Sequence, residues 1–271
     1  MSGKLDRPDT SLLPLVPGHE AVSVVDKLGP DAAAYGLQEG DLIGAPLWQN
    51  MCLTCSDCRT VGPDSCPQKQ MAGITTPGTF AEFGLVDAAS AVVITRAGDA
   101  GQDKEKIPSP ATLSPLFCAG ITVWDALERA QLQRGETVAV VGTGGLGELA
   151  VRYARALGGR VLALDVQDEQ LEACKDSAEV TINTRTTSPD VLKDKISAVS
   201  GRPAADVVIV TAGVVAAYET ALGIVRFEGR LIAVGMPVEP LSVSLLQFGL
   251  LGFRYVGSLP CPSVNHQTAA C

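Results

Sequence analysis

Short apolar runs alternate with amphipathic segments through the second half of the chain. The apolar runs predict buried strands, and they lie at residues 138–141, 160–165, 180–183, 206–210, 230–234 and 253–256. The segments between them place apolar residues at helical spacing, and in one of them Ser188 can cap a helix that begins at Pro189. Strands that are joined through helices run parallel, so this alternation predicts an α/β fold with a doubly wound parallel sheet.

The first strand of this region ends in a glycine-rich turn. Gly142, Gly144 and Gly147 fit the spacing G-x-G-x-x-G, in which the glycines allow a tight turn, close approach of the backbone to a pyrophosphate, and packing of helix on strand. The following helix offers N–H groups at its N-terminus to the phosphates. We therefore predict a dinucleotide site that includes Gly145 and Leu146. The alternative is a glycine turn without a ligand.

Asp165 ends the second strand of this region at the place where dinucleotide-binding folds carry an acidic residue. A carboxylate there can accept hydrogen bonds from the adenosine ribose and repels a 2′-phosphate, and the next two residues offer no cation. The pattern therefore favours NAD over NADP, with a helix-capping role for Asp165 as the alternative. Thr211, Val234 and Gly235 lie at the carboxyl ends of other predicted strands and are candidate cofactor contacts or structural turn residues.

Short apolar runs separated by turn residues mark the first part of the chain and are typical of a compact β-rich domain. Strand candidates lie at 21–25, within 36–43 after a turn, at 78–83 and at 88–94. His19 and Glu20 directly precede the first strand and suit either a zinc ligand with a carboxylate beside it or a hydrogen-bonded loop histidine. The polar segment 96–110 is predicted to be a surface loop, and a helix is predicted at about 116–130. A single cysteine such as Cys118, considered without its neighbours, is typical of a small buried side chain.

Four cysteines form the sharpest chemical signal in the chain. Cys52, Cys55, Cys58 and Cys66 have the spacing C-x2-C-x2-C-x7-C, which can close a tetrahedral site of four thiolates. We predict structural zinc. An iron–sulfur cluster is the competing interpretation, because ferredoxins share the first half of this spacing, but their last gap is shorter. Free thiols are the remaining alternative.

Composition narrows the range of partners. The chain of 271 residues carries 30 acidic and 21 basic side chains, for a net charge of -9. Nucleic acid and anionic membranes both require basic patches, so neither is expected as a partner. The sequence shows no apolar leader or membrane-length apolar run, and we predict a soluble, cytoplasmic protein. Disulfides are unusual in that compartment, which favours metal binding by the clustered cysteines.

Together these motifs resemble the medium-chain zinc-dependent alcohol dehydrogenases. The matching segments, in chain order, are Gly18-His19-Glu20, the four-cysteine lobe, Cys118-Ala119-Gly120-Ile121-Thr122-Val123, the glycine turn with Asp165, and Val234-Gly235-Met236-Pro237. The resemblance implies an incomplete GroES-like catalytic domain at 1–109 and a Rossmann domain at 110–257, with the nicotinamide in the cleft between them. An irregular tail follows at 258–271.

The resemblance also implies roles for individual residues. His19 and Cys118 match ligands of a catalytic zinc, Glu20 matches a residue beside that zinc, Thr122 matches one near the nicotinamide, and Trp48 matches an aromatic residue that lines the substrate pocket. A zinc ion with one coordination position free of protein ligands polarises an alcohol oxygen and so favours hydride transfer to the nicotinamide. The implied reaction transfers a hydride between a small alcohol or aldehyde and NAD, in an enzyme that is commonly a dimer or tetramer.

The chain departs from the family pattern at both ends, as if shortened. Eighteen residues without a cysteine precede His19, where the family carries another zinc-ligating cysteine and the Ser or Thr that begins the proton relay. Glu20 is a candidate to replace that missing zinc ligand. The last segment, 258–271, shows no helical period and is predicted to be disordered. Two alternatives stay open, a dinucleotide-binding remnant that keeps only structural zinc and a zinc-free enone reductase.

Overall fold

The computed structural model describes residues 13–99 and 107–258. The described residues divide into two compact units, one ending at Ile121 and the other beginning at Thr122. Predictions for the segment 100–106 and for the tail after residue 258 lie outside the described residues. Within the described ranges, no helix combines the length and the apolar character needed to cross a bilayer.

The first unit is built from short strands and helices. In chain order they are β1 (Ala21–Val24), β2 (Leu42–Ala45), β3 (Trp48–Gln49), α1 (Ser56–Thr60), β4 (Gln70–Met71), β5 (Val92–Thr95) and α2 (Pro110–Leu113), with 3-10 turns at Ala32–Tyr35, Pro63–Ser65, Ala97–Asp99 and Ser114–Phe117. A three-stranded antiparallel sheet has the order β1-β2-β5, and β3 pairs with β4. This unit has the predicted β-rich character.

The strand predicted at 78–83 is wrong. This segment is irregular, and its backbone bonds to the loop before β1, with the Gly78 N–H donating to the Val16 carbonyl at 2.7 Å and the Thr79 N–H to the Gly18 carbonyl at 3.1 Å. Alternating apolar residues suggested a strand, but the nearest backbone partners belong to a loop rather than to a sheet edge. The segment therefore holds the loop that carries His19.

Close backbone packing reinforces this junction. A Cβ at Gly73 would lie 2.6 Å from the Gly18 nitrogen, and one at Gly78 would lie 2.1 Å from the Gly18 carbonyl oxygen. The Phe80 ring covers the third side of Gly18. The loop before His19 is thus fixed by backbone contacts from a segment far along the chain.

The prediction of a strand at 88–94 is correct only in its second half. Strand β5 begins at Val92, because the Asp87 carbonyl accepts the N–H groups of Ser90 and Ala91 in a turn at 3.0 and 3.1 Å. The Asp87 side chain also accepts the Ser90 hydroxyl at 2.7 Å. An aspartate that closes a turn in this way delays the start of the strand.

The second unit contains a six-stranded parallel sheet, as the sequence predicts. Its strands are β6 (Thr137–Val141), β7 (Arg160–Asp165), β8 (Val180–Asn183), β9 (Ala205–Val210), β10 (Val225–Ala233) and β11 (Arg254–Gly257). The strand order is β11-β10-β9-β6-β7-β8. The order reverses between β6 and β9, which is the point where ligands of doubly wound sheets bind.

Helices connect these strands. They are α3 (Ala119–Ala130), whose first residues belong to the first unit, α4 (Gly145–Ala156), α5 (Asp168–Cys174), α6 (Pro189–Ser200), α7 (Val215–Ile224) and α8 (Leu245–Leu251). Ser188 caps α6 by accepting the Val191 N–H, as predicted, whereas α8 was not predicted. Apolar residues occupy most positions of α8, so it shows no helical period.

Alternating residues of the sheet form two buried layers. On one face Val138, Val140 and Ile209 pack with side chains of α3 and α4, and on the other face Val141 and Leu164 pack with side chains of α6 and α7. Because both faces are covered, the strands read as continuous apolar runs. This explains why the bounds of β6, β7, β8, β9 and β11 could be predicted to within one residue. The prediction for β10 is wrong at its start, because the strand begins at Val225, five residues before Arg230, and its pairing with β9 shifts register between these two residues.

A buried carboxylate organises the amino ends of β6 and β9. Asp206 accepts the Thr137 N–H at 2.8 Å and the Arg226 Nε–H at 2.6 Å, and Arg202 lies 3.3 Å away. Burial opposes ionisation of Asp206, but the Thr137 N–H and the Arg226 guanidinium outweigh it, and the pKa lies below its ordinary value of 3.8. The ionised form therefore stabilises the folded state.

We expect Asp206→Asn to lower the free energy of unfolding by about 2 kcal/mol at pH 7, because a charged hydrogen bond to Arg226 is lost. A depressed folded pKa contributes stability above the unfolded value near pH 4, and this contribution is lost as pH falls through the folded pKa. Urea unfolding at pH 7 and pH 3 measures the free energy of unfolding of the wild type and of Asp206→Asn. The difference between these two free energies should be smaller at pH 3. Asp194→Asn, at an exposed position of α6, is the control. A difference in free energy of unfolding that is the same at both pH values would contradict the prediction.

Candidate functional site

The glycine-rich turn joins β6 to α4 at the predicted place. Gly142 has a φ of 93°, which L side chains rarely adopt. A Cβ at Gly147 would lie 1.9 Å from the Gly142 carbonyl oxygen, so the first turn of α4 lies directly on the end of β6. The first glycine is needed for the turn and the third for the packing of helix on strand.

The N-terminus of α4 is open. Gly144 is the N-cap of this 12-residue helix, and among the described residues no side chain forms a capping hydrogen bond there. A Cβ at Gly144 or Gly145 would have no described atom within 4 Å. The N–H groups of Gly145, Leu146 and Gly147 lie in this first turn, where the helix dipole is positive. We call these three N–H groups and the open space beside Gly144 and Gly145 the cradle at α4. Its charge and its space fit a pyrophosphate.

Asp165 lies beside this turn at the end of β7. Its Oδ2 accepts the Thr143 N–H at 2.6 Å, and its Oδ1 accepts the N–H groups of Val166 at 2.7 Å and Gln167 at 3.0 Å. The Thr143 hydroxyl lies 3.3 Å from Oδ2 and makes the weakest of the four contacts. Asp165 fixes the backbone that leads into α5 but does not cap this helix, because Gln167 is its N-cap and no described side chain forms a capping bond there. A ribose hydroxyl would replace the long Thr143 contact. Ribose binding stays a prediction.

The other predicted cofactor contacts lie at neighbouring strand ends. The Thr211 hydroxyl donates to the Gly142 carbonyl at 2.5 Å. The N–H groups of Val234 and Gly235 both donate to the Val210 carbonyl, at 3.0 and 2.9 Å. The carboxyl ends of β6, β9 and β10 are thus joined side by side at the glycine turn. Their contact with a cofactor stays a prediction.

The four cysteines of the lobe meet at one point. Their Sγ atoms all lie within 4.8 Å of one another, and Cys52 Sγ is 3.9 Å from Cys58 Sγ and 3.6 Å from Cys66 Sγ. Corners of a tetrahedron with metal–sulfur bonds of about 2.3 Å lie about 3.8 Å apart. Backbone N–H groups of Cys52, Cys55 and Cys58 each donate to a cysteine sulfur at 3.4 Å. The donor set and its spacing fit zinc.

The protonation of these sulfurs also favours a metal. Backbone N–H groups of Thr54 and Cys55 lower the pKa of Cys52 to about 6, whereas burial and the neighbouring sulfurs raise the pKa of Cys58 to about 12. Thiolates so close together repel one another, and a divalent cation removes this repulsion.

Cys118 and Glu20 are brought together, although they lie far apart in the sequence. Burial, followed by the charge of Glu20 and a hydrogen bond to its carboxylate, raises the pKa of Cys118 to about 11. His19 precedes Glu20 in the chain. Among residues 13–99 and 107–258, however, the cysteine lobe is the one group of three or more His, Cys, Asp or Glu side chains with gathered ligand atoms. The joint binding of zinc by His19 and Cys118 stays a prediction.

Trp48 and Thr122 are both buried. The Trp48 ring packs in the core of the cysteine lobe beside Cys66, and the Lys69 ammonium lies 4.3 Å from its centroid. Thr122 lies in the first turn of α3, and its carbonyl oxygen is 3.5 Å from the Ser258 hydroxyl. A pocket-lining role for Trp48 and a cofactor-side role for Thr122 stay predictions.

Comparison with known proteins identifies a domain family in each of the two parts of the chain. Residues 1–96 match the alcohol dehydrogenase GroES-like domain, and residues 145–267 match the zinc-binding dehydrogenase domain. An alcohol dehydrogenase of Geobacillus stearothermophilus is 34% identical over 259 residues, which are 94% of this chain and 71% of that protein. The chain belongs to the zinc-type alcohol dehydrogenase family.

Further alcohol dehydrogenases agree with this assignment. One from Rhizobium meliloti (strain 1021) is 35% identical over 247 residues, which are 91% of this chain and 68% of that protein. The crystal structure of the alcohol dehydrogenase from Aeropyrum pernix has a TM-score of 0.77 at 27% identity, covering 91% of this chain and 69% of that one. The predicted family and fold class are confirmed.

Membership of the zinc-type alcohol dehydrogenases makes the chain an oxidoreductase. It also supports zinc, rather than an iron–sulfur cluster, as the metal of the cysteine lobe, in agreement with the sulfur geometry. The alternative of a zinc-free enone reductase is not favoured, because an enzyme without zinc would leave the four gathered cysteines of this lobe unexplained.

Sequence reasoning missed two hydrogen bonds of the second unit, one of which holds the segment after β10. The Tyr218 hydroxyl donates to the Gly235 carbonyl, and the Ser258 hydroxyl donates to Asp125 Oδ2 at 2.7 Å. A tyrosine on the buried face of a helix is a usable signal, because a buried hydroxyl requires a partner.

Proposed function

We propose that the protein is a zinc-dependent alcohol dehydrogenase that transfers a hydride between a small alcohol or aldehyde and NAD. The observation that carries this proposal is the cradle at α4, where Gly144 and Gly145 leave open space beside the Asp165 carboxylate. The relatives named above are alcohol dehydrogenases, which supports the substrate class.

The proposed choice of NAD rests on Asp165. Its carboxylate is fixed by backbone N–H groups, so its charge stays beside the place that a ribose would occupy. A 2′-phosphate would be repelled there. Val166 and Gln167 follow it and carry no positive charge.

We propose His19, Cys118 and Glu20 as the residues that would hold a catalytic zinc. The donor types fit, because thiolate, imidazole and carboxylate are the usual zinc ligands and a catalytic site keeps three of them. A bound zinc supplies Lewis acidity toward an alcohol or carbonyl oxygen. The Glu20 carboxylate lies close enough to the Cys118 thiol to raise its pKa, which supports these two side chains as neighbours in the proposed site.

The remaining assignments follow from the same proposal. Residues 1–109 are proposed as the catalytic domain and residues 110–257 as the cofactor-binding domain, but the compact units of the structure divide twelve residues later, after Ile121, so that Cys118 lies in the first unit. Thr122 lies near the nicotinamide, and Trp48 lines a pocket for a small alcohol. The proposed enzyme is a cytoplasmic homo-oligomer, a dimer or tetramer, and its net charge of -9 supports the absence of nucleic acid and anionic membranes among its partners.

A combined test measures zinc, NADH binding and turnover. Purified protein is expected to contain close to two zinc ions per chain, to bind NADH in a fluorescence titration, and to produce NADH from NAD and a panel of small alcohols. NADH binding with one zinc and no turnover would indicate the catalytically impaired remnant instead. Failure to bind NADH would refute the proposed function.

Asp165→Asn tests the cofactor choice within the same titrations. The dissociation constant for NADH is expected to rise about tenfold, because a charged hydrogen bond to the ribose is weakened. Binding of NADPH should improve relative to NADH, since the repelling charge is gone. Asp168→Asn, which removes a carboxylate at the start of α5, is the matched control. An unchanged ratio between the two cofactors in Asp165→Asn would argue against the ribose contact.

A further inference from the structure

Tyr218 is a buried tyrosine in the middle of α7. It is 1% exposed, and its ring belongs to the apolar layer between α7 and the sheet. Its hydroxyl donates to the carbonyl oxygen of Gly235, two residues after the end of β10. Burial raises the pKa of Tyr218 above its ordinary value, so the phenol keeps its proton near neutral pH and donates to this carbonyl.

Gly235 is tightly confined on its other sides. Its N–H donates to the Val210 carbonyl at 2.9 Å. A Cβ at Gly235 would lie 2.4 Å from the Ala212 carbonyl oxygen and 2.7 Å from that of Thr211, so backbone lies directly on backbone. The position of this segment is therefore set by Tyr218 on one side and by the end of β9 on the other.

The close packing continues to the glycine turn. The Thr211 hydroxyl donates to the Gly142 carbonyl at 2.5 Å, and a Cβ at Gly142 would lie 2.7 Å from the Ala212 Cβ. Gly235, the pair Thr211 and Ala212, and Gly142 thus form one continuous stack across three strand ends. In a stack this tight a shift at Gly235 displaces its neighbours, since the interior has no free volume to absorb it.

We infer that Tyr218 is a positioning residue for the dinucleotide, acting through the Gly235 carbonyl on the strand ends that form the cofactor surface. The inference rests on the proposed function, because it assumes that the dinucleotide occupies this edge of the sheet. Tyr218 itself lies beneath the surface and touches no cofactor. Its hydroxyl fixes the height of Gly235 against Ala212 and Thr211.

Tyr218→Phe isolates the hydroxyl, because the ring and its packing are kept. The dissociation constant for NADH is expected to rise about three- to tenfold, the usual effect of one neutral hydrogen bond. The KM for NAD should rise by a similar factor, with a smaller change in kcat. Fluorescence titration and steady-state kinetics measure these values well below the unfolding midpoint. A role in stability alone would lower that midpoint and leave NADH binding unchanged.

The chain offers a matched control and a second variant. Tyr255 lies beside Tyr218, with ring centroids 6.4 Å apart, but is 44% exposed, and Tyr255→Phe should leave NADH binding within about twofold of the wild type. Gly235→Ala places a methyl group against the Ala212 carbonyl while Tyr218 is intact. It should weaken NADH binding at least as much as Tyr218→Phe, and it tests the same stack if Tyr218→Phe folds poorly.

The outcomes separate the two proposals. Wild-type protein that binds NADH, with Tyr218→Phe and Gly235→Ala binding equally well, would overturn the inference alone. Equal weakening by Tyr255→Phe would also overturn it. Wild-type protein that does not bind NADH would refute the proposed function and this inference together.

Discussion

Replacement of Cys66 with serine is expected to remove about one zinc ion per chain and to unfold residues 47–72. Cys66 is fully buried at the centre of the lobe, and its sulfur accepts the Cys52 N–H and lies 3.6 Å from the Cys52 sulfur. A serine oxygen is a poor replacement for a thiolate in a site of four sulfurs. The remaining three sulfurs would hold the metal far more weakly.

The lobe depends on its metal because little else holds it together. Its helix α1 has five residues, its strands β3 and β4 have two residues each, and its apolar cluster has four buried members. Elements this short are not stable in water without a larger core or a metal. Binding of structural zinc contributes about 10–16 kcal/mol in small domains, which exceeds anything this apolar cluster could supply.

Zinc analysis and hydrogen exchange of residues 47–72 measure this effect. Cys174→Ala is the matched control, because Cys174 is a buried cysteine of α5 with no place in the four-sulfur site. This control should keep its zinc and the exchange protection of the lobe. Prolonged treatment of the wild type with a strong chelator should reproduce the exchange pattern of Cys66→Ser. A Cys66→Ser protein with unchanged zinc and protection would contradict the metal-dependent account of the lobe.

Cys118→Ala is expected to lower kcat/KM for alcohol oxidation by at least about a hundredfold. The substitution removes a proposed zinc ligand and leaves the Glu20 carboxylate without its thiol partner. NADH binding should change little, because the cradle at α4 and the Asp165 carboxylate are formed by other residues. Loss of activity with retained cofactor binding is therefore the expected signature.

Zinc content, NADH titration and alcohol turnover distinguish this result from unfolding. The second zinc ion should be lost while the zinc of the cysteine lobe remains, since its four sulfurs are intact. Cys174→Ala again serves as the control for removal of a buried thiol. Full activity in Cys118→Ala would show that Cys118 is an ordinary buried side chain, and the proposal for the catalytic site would then fail.

The sheet of the second unit could be predicted closely from the sequence. Residues 160–165 and 180–183 were predicted as strands, and the structure has β7 and β8 with the same bounds. Both faces of this sheet are covered by helices, so burial leaves a continuous apolar signal. Helix α8 escaped prediction because apolar residues such as Leu245 and Leu246 are largely exposed there and follow no period.

The gathering of the four cysteines and the position of the glycine turn could be predicted because the residues involved lie close together along the chain. The four cysteines lie within fifteen residues, and the glycine turn is a local strand–helix junction. The pairing of Glu20 with Cys118 and the bond from Tyr218 to Gly235 depend on tertiary packing. Neither leaves a periodic or spacing signal, since the partners come from separate elements.

The loop before β1 shows how late in synthesis one part of the molecule can take shape. Its backbone is fixed by Gly73, Gly78 and Phe80, residues that leave the ribosome long after His19 and Glu20. A nascent chain that ends before residue 73 therefore lacks all three of these contacts to the loop that carries the two side chains. The proposed zinc ligands at the start of the chain acquire a defined geometry only after the cysteine lobe has been translated.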